Sequence, residues 1–203
     1  MSTTTPSPLF TGKHVIIRPL SPTDAPLYHR WLQNPAFLAY KPYLKRLCPT
    51  SAKLLTHLTL QAQVNPRAEI EGLVIPQKTQ APIGIIGLAA IDRFNQKAEF
   101  SAGFVRGYGT HAIWEAIHAG FALSFARFKL HKLIFYVASD NHQALKIMQR
   151  YGFISEGYFK EEILVDDDGQ RVDLHRFALM QTAWEDHPFH QRLNRIAPIE
   201  FLP

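Results

Sequence analysis

FVRGYGTHAIWEAIHAGF, residues 104–121, is the stretch that decides the fold. Gly107 and Gly109 predict a tight turn in which the backbone approaches a ligand without a Cβ in the way. The helix that follows presents unpaired N–H groups and the positive end of its dipole to the same point. This arrangement favours a phosphate or pyrophosphate, to which Arg106 can add a charge-assisted hydrogen bond. The same glycines are equally compatible with a simple turn from strand to helix.

The residues after the turn continue as an amphipathic helix. One face is apolar at four-residue spacing and is predicted to pack on a sheet: Ile113, Ile117, Phe121 and Phe125. The polar face is predicted to carry His111, Glu115 and His118. We therefore expect this helix to cover one side of a sheet.

Hydrophobic runs on either side of this helix predict strands. IGIIGLAAI (83–91) and KAEFSAGFV (97–105) form a predicted antiparallel pair joined by a turn at residues 92–96. LIFYVA (133–138) is an unbroken apolar run, which is typical of a strand covered on both faces. The order strand, helix, strand implies a parallel crossover.

Capping and turn residues outline the remaining elements. Asp140 or Asn141 is predicted to cap the next helix, and Gly152 to end it. The elements predicted elsewhere are a strand at 14–20, a helix from Ser21 that Pro35 stops, a helix at 51–64 with a buried stripe of Leu54, Leu55 and Leu58, a strand at 69–76, and two strands after Gly157 around a hairpin turn at Asp168–Gly169.

The stretch from Phe104 to Phe153 resembles the acyl-CoA-binding core of the GNAT superfamily of N-acetyltransferases. IRPLSPTDAPLYHRWLQNP (17–35) and YGFISEGYFKEEILVDDDGQRVDLHRFALMQTAW (151–184) are similar to the opening and closing segments of its ribosomal-protein-alanine acetyltransferase subgroup. The similarity covers residues 13–184, which we expect to form one domain. It implies an α/β (α+β) fold with a central mixed, mostly antiparallel twisted sheet, parallel splayed middle strands and flanking helices.

The resemblance implies an enzyme that moves the acetyl group of acetyl-CoA to a primary amine, on a protein N-terminus or a small molecule. By this resemblance, the residues expected to bind acetyl-CoA are Phe104, Val105, Arg106, Gly107, Tyr108, Gly109, Thr110 and Asn141. Glu99 occupies the family position of a general base, which removes a proton from the attacking amine. A salt-bridged or solvent-facing strand carboxylate is the alternative for Glu99. A strand N–H near Phe104 or Val105 is expected to stabilise the oxyanion.

Three features depart from the family pattern. Phe104 stands where the superfamily has Gln or Arg, and the loop from strand to helix is several residues short. Ala144 replaces a serine of the subgroup, and Met148 stands where many members have a tyrosine acid; Tyr151 follows one turn later. The short loop, Phe104 and Ala144 motivate an alternative function, a CoA-binding GNAT-like module with weak or no transferase activity that acts as a sensor or scaffold.

Composition fits a single soluble domain. The chain has 203 residues, of which 46% are hydrophobic, and no run reaches transmembrane length. Residues 1–12 are predicted to be a disordered leader, and residues 185–203 a tail that packs on the domain or on a partner subunit, so a homodimer is compatible with the sequence. Cys48 is the single cysteine, which excludes an internal disulfide and agrees with a cytoplasmic location.

Charge and histidine spacing bear on other partners. The net charge of +5 suits the phosphates of CoA, but the basic residues are scattered, so we expect no nucleic-acid binding. His111 and His118 are seven residues apart, which does not match the four-residue spacing of a helical zinc pair. No bound metal is expected.

Overall fold

The computed structural model describes residues 7–34, 37, 42–64, 68–164 and 169–199. Eight described strands form one sheet in the order β1-β2-β3-β4-β5-β6-β8-β7. The strands are β1 (Phe10–Thr11), β2 (Val15–Pro19), β3 (Ile70–Pro76), β4 (Gly84–Asp92), β5 (Lys97–Phe104), β6 (Lys132–Ala138), β7 (Ile154–Leu164) and β8 (Arg171–Met180). The α-helices are α1 (Ala25–Trp31), α2 (Pro42–Leu47), α3 (Ser51–Gln63), α4 (His111–Ala122), α5 (His142–Tyr151), α6 (Gln181–Trp184) and α7 (Pro188–Ile196).

The middle of the sheet is forked. Neighbouring strands are antiparallel except β5 and β6, which are parallel and joined through α4. Their pairing runs from Lys97 opposite Lys132 to Glu99 opposite Ile134 and ends there, although both strands continue. The carboxyl ends of β5 and β6 therefore splay apart. The predicted fold class, with its parallel splayed middle strands, is confirmed.

Two apolar clusters cover the two faces of the sheet. The larger includes Ala98 and Phe100 of β5 together with α4, α5 and α7. The smaller joins Leu73 and Ile85 to α1, α2 and α3. Because successive strand side chains point to opposite faces, Glu99 lies on the face that α1 and α3 partly cover.

The prediction that Glu115 and His118 lie on the polar face of α4 is wrong. Glu115 is 1% exposed and His118 is 2% exposed. The Glu115 carboxylate accepts hydrogen bonds from the backbone N–H groups of Lys13 and His14, at 2.9 and 2.6 Å. His118 lies beneath the C-terminal tail, against the carbonyl of Ala197. Other parts of the chain thus cover the side of α4 that the pattern assigned to solvent.

The predicted burial of one side chain of α3 is also wrong. Leu54 and Leu58 are buried as predicted, but Leu55 is 45% exposed. The helix spans 13 residues, and positions 54 and 58 share the stripe that faces the sheet. Leu55 is rotated about 100° from Leu54, which carries it out of that stripe.

The chain ends show more regular structure than the pattern indicated. Part of the predicted leader, Phe10–Thr11, pairs with β2, and α7 forms within the predicted tail. Phe189 and Leu193 of α7, four residues apart, are buried in the larger cluster. Residues 1–6 and 200–203, the stop at Pro35 and Asp168 of the predicted hairpin turn lie outside the described residues. Within the described ranges, none of the helices has the length and apolar character needed to cross a membrane.

Candidate active site at the forked strands

The glycine turn stands at the open end of the fork. Gly107 and Gly109 have φ of +82° and +79°, a left-handed conformation that other residues adopt only with strain. The Thr110 hydroxyl donates to the Gly107 carbonyl at 2.7 Å, and Thr110 is the N-cap residue of α4. The space where a Cβ of Gly109 would lie is open. A ligand can therefore approach the backbone here, beside the positive end of the α4 dipole.

The end of β5 presents its backbone to the fork. The Val105 N–H donates to the Ile83 carbonyl at 2.9 Å, on the β4 side. Because backbone groups of successive strand residues point to alternate edges, those of Phe104 point toward β6. The Tyr108 hydroxyl donates to the Phe104 carbonyl at 2.6 Å. Desolvation raises the pKa of Tyr108, so the hydroxyl stays protonated as a donor at neutral pH.

Arg106 lies on the outer side of the turn. Its guanidinium donates to the carbonyl of Pro82 at 3.1 Å. In this position the side chain braces the turn against the start of β4. Contact between Arg106 and a bound phosphate stays a prediction.

The β6 arm of the fork ends at Ser139 and Asn141. The Asn141 side chain accepts a hydrogen bond from the Ala144 N–H at 3.1 Å, so Asn141 rather than Asp140 caps α5. The cap prediction is confirmed, as is Gly152 at the helix end with φ of +75°. The Ser139 hydroxyl oxygen is buried and has no hydrogen-bond partner among the described residues. The sequence pattern gave no signal for Ser139, because a buried hydroxyl is recognised only from its surroundings.

Glu99 lies at the bottom of the fork. It is the last β5 residue paired with β6, opposite Ile134, and it is half-buried. A second carboxylate shares its face of the sheet, because Glu71 is opposite Gly87, which is opposite Ser101. Standard strand spacings put the Cα atoms of Glu71 and Glu99 about 12 Å apart. This face therefore carries acidic side chains on both sides of β4.

The residues that depart from the family pattern serve packing. The Phe104 side chain is 6% exposed and belongs to the larger cluster, so Phe104 offers only its backbone to the fork. Ala144 and Met148 pack against the same cluster. The Tyr151 ring lies 4.9 Å from the ring of Phe189 on α7, centroid to centroid, as expected of a residue that packs at a helix end.

Cys48 has the surroundings of a packing residue. It is 3% exposed within the smaller cluster, and burial raises the pKa of its thiol, which disfavours the nucleophilic thiolate. The described residues contain no group of three or more His, Cys, Asp or Glu arranged to hold a metal ion. The rings of His111 and His14 lie near each other, with centroids 5.2 Å apart and planes tilted by 39°, while His118 is buried farther along α4.

Solved structures place this fold in a class. A chimera built on the spermidine N-acetyltransferase of Vibrio cholerae superposes with a TM-score of 0.73 at 23% identity, covering 86% of this chain and 100% of the other. A variant of the same enzyme gives a TM-score of 0.70 at 23% identity, covering 83% and 95%. A dodecameric structure of that enzyme gives 0.69 at 22% identity, covering 84% and 95%. The fold is that of acetyltransferases.

Sequence comparison identifies the family. The model of the acetyltransferase (GNAT) domain matches residues 14–154, so the chain belongs to the GNAT acetyltransferase family. A Bacillus subtilis relative named "Putative ribosomal N-acetyltransferase YdaF" is 25% identical over 183 residues, which cover 87% of this chain and 98% of the relative. The spermidine N(1)-acetyltransferase of Vibrio cholerae is 27% identical over 111 residues, 50% of this chain and 58% of that enzyme.

Proposed function

We propose that the protein transfers the acetyl group of acetyl-CoA to a primary amine. The observation that carries this proposal is the fork itself, with the glycine turn at its open end and Glu99 where β5 and β6 part. The pyrophosphate of the donor would bind at the turn, and its long pantetheine arm would extend along β5 toward Glu99. Asn141 and the Ser139 hydroxyl would bind the donor from the β6 arm.

The chemistry follows from the position of Glu99. Its carboxylate takes a proton from the ammonium form of the acceptor, and the neutral amine attacks the thioester carbonyl carbon. The tetrahedral intermediate collapses to the amide as the C–S bond breaks and the nitrogen loses its second proton to water. The CoA thiolate then takes a proton from water or from the protonated Glu99. Atoms and charge balance without a metal or a covalent enzyme intermediate.

The proposed position of the thioester selects the oxyanion donors. Phe104 lies five residues beyond Glu99, roughly 16 Å along the strand, and the Val105 N–H is bound to Ile83. A thioester within reach of Glu99 would therefore accept hydrogen bonds from N–H groups nearer the bottom of the fork. The pairing of Glu99 with Ile134 already uses the Phe100 N–H, so Ala102 is the next β5 residue whose N–H points toward β6. We assign the oxyanion to the Ala102 N–H instead of Phe104 or Val105.

The acceptor we propose is a cationic primary amine. Glu71 and Glu99 place two carboxylates on one face of the sheet, and a carboxylate attracts an ammonium group. The names of the two relatives, a spermidine N(1)-acetyltransferase and a putative ribosomal N-acetyltransferase, suggest which amines to test. A polyamine and a protein N-terminus are therefore the two acceptors to compare.

Calorimetry with acetyl-CoA and an acetyl-transfer assay test the proposal together. The acceptor panel contains spermidine, an arginine-rich peptide that begins with alanine and contains no lysine, and the same peptide with a blocked N-terminus. We expect acetyl-CoA binding and transfer to at least one free amine, with none to the blocked peptide. Binding without transfer to any amine would instead establish the CoA-binding module. Absence of acetyl-CoA binding would refute both functions.

We further propose that the protein is a homodimer in the cytoplasm. The Vibrio enzyme has a dodecameric structure, but that assembly is a property of the Vibrio enzyme. For this chain, light scattering of the full-length protein at several concentrations measures the oligomeric state. A mass of one chain at all concentrations would contradict the dimer.

A further inference from the structure

A cavity lies at the end of the sheet opposite the glycine turn. Its volume is about 670 Å³, within the range usual for small-molecule pockets. Its walls come from α4, the π-helical turn at Leu123–Arg127, the turn between β4 and β5, α6 and α7. The lining residues used below are His118, Ala126, Lys129, Trp184, Glu185 and His190. Strand β6 separates this cavity from Asn141 by roughly 20 Å.

His118 offers this cavity a hydrogen-bond acceptor. Its Nδ1 lies 2.9 Å from the carbonyl oxygen of Ala197, which can only accept, so Nδ1 carries the hydrogen. Burial lowers the pKa of His118, which keeps the ring neutral. Nε2 is therefore an acceptor. No described residue donates a hydrogen bond to Nε2, although His118 is only 2% exposed.

His190 supplies an aromatic wall that is backed by Trp184, which is 4% exposed. Their rings are stacked, with centroids 4.2 Å apart and planes 26° apart. His190 Nδ1 donates to the Glu185 carbonyl at 3.2 Å, and its Nε2 accepts from the Asn194 side-chain amide at 3.0 Å. Both nitrogens of His190 are thus already used. His190 acts as a fixed aromatic surface, and the acceptor open to a ligand is His118 Nε2.

The charge of the lining favours a neutral occupant. Lys129 and Glu185 each contribute one formal charge of opposite sign. A polyanion or a polyamine would find no complementary cluster of charge. A flat ring with one N–H donor uses both the aromatic wall and the open acceptor.

We propose that this cavity binds a small neutral heteroaromatic molecule that carries a ring N–H, of the indole or benzimidazole class. The ring packs against the Trp184–His190 wall and its N–H donates to His118 Nε2. The site is separate from the acetyl-transfer fork and does not depend on that function.

Benzimidazole is the probe, and 1-methylbenzimidazole, in which a methyl group replaces the N–H hydrogen, is the comparison ligand. Nitrogen-15 NMR of the full chain reports the imidazole of His118 and the indole N–H of Trp184. We expect benzimidazole to shift both signals and to bind about tenfold more tightly than its methylated form, the ratio that one hydrogen bond supplies. Equal affinity of the two compounds, or no shift at His118, would overturn the proposal.

Two variants in which phenylalanine replaces an alanine test the site without changing His118. Ala126→Phe fills the cavity from its wall, while Ala183→Phe adds the same ring at an exposed position of α6 outside the lining. Benzimidazole affinity should fall at least about tenfold in Ala126→Phe and stay unchanged in Ala183→Phe. Both variants should unfold at the same urea concentration as the wild type, which verifies folding. Unchanged benzimidazole binding in a folded Ala126→Phe protein would place the ligand elsewhere.

Discussion

The hydroxyl of Tyr108 donates a 2.6 Å hydrogen bond to the backbone carbonyl of Phe104. This bond spans the turn that contains Gly107 and ties it to the last residue of β5. The turn is also held from its other side, where Thr110 bonds to the Gly107 carbonyl. The proposed pyrophosphate site is therefore fixed in shape before the donor arrives, which lowers the entropy cost of binding.

Tyr108→Phe should weaken acetyl-CoA binding. The substitution keeps the ring and removes the hydroxyl, so the turn loses a hydrogen bond of about 0.5–1.5 kcal/mol. We expect the Kd for acetyl-CoA to rise by roughly two- to tenfold while kcat changes little, because the bond lies far from Glu99. Calorimetry and steady-state kinetics measure the two quantities. A large fall in kcat at unchanged Kd would show that Tyr108 acts in the chemical step.

Gly109→Ala and Gly152→Ala form a matched pair. Both glycines have positive φ, +79° and +75°, and open space where the Cβ would lie. Each variant should lose about 1–2 kcal/mol of unfolding free energy, from backbone strain alone. Acetyl-CoA affinity should fall only in Gly109→Ala, since its Cβ would stand between the ligand and the backbone of the turn. Equal affinities of both variants would argue against a phosphate at this turn.

Much of the fold was predictable because local patterns decide it. The strand, helix and strand around Gly107 give the parallel crossover, and Asn141 and Gly152 bound α5 through standard caps. The burial of Glu115 was not predictable from local patterns. Helical spacing puts Glu115 opposite the sheet-facing stripe, and only the distant N–H groups of Lys13 and His14 explain its burial.

Glu115→Ala should destabilise the fold. The carboxylate satisfies two backbone N–H groups at the turn between β1 and β2, and an unmet buried donor costs about 1–3 kcal/mol. Glu115→Gln should cost less, because its amide keeps one acceptor oxygen. Urea unfolding measures the free energies, with Glu185→Ala as a control whose side chain is 83% exposed. A loss no larger than that of the control would contradict this role.

Stability should fall as the pH drops below about 6.5, the ordinary pKa of histidine. Burial lowers the pKa of His118 and His187, so the folded state resists protons that the unfolded chain accepts. The stabilisation is present above the unfolded pKa and is lost as the pH falls through the folded one. His118→Gln should flatten the decrease by up to about 1.4 kcal/mol per pH unit. Urea unfolding at several pH values measures this slope, and an unaltered slope would exclude His118.

The candidate site was predictable in part, for a physical reason. Glycines in a turn and a capping Asn141 are predictable because their residue types alone favour those backbone conformations. The roles of Ser139 and of the Tyr108 hydroxyl depend on what surrounds them after folding. Strand parity likewise directs the Phe104 backbone toward the fork while its side chain enters the core, a division that residue type alone does not show.

The turnover of Glu99→Gln tests the central claim most directly, with Glu71→Gln as its matched control. If Glu99 is the general base, kcat should fall by about 10²–10⁴-fold in Glu99→Gln, with the Kd for acetyl-CoA unchanged. Glu71→Gln should raise the KM for a cationic amine and leave kcat within roughly twofold of the wild type. A Glu99→Gln enzyme with wild-type kcat would contradict the account.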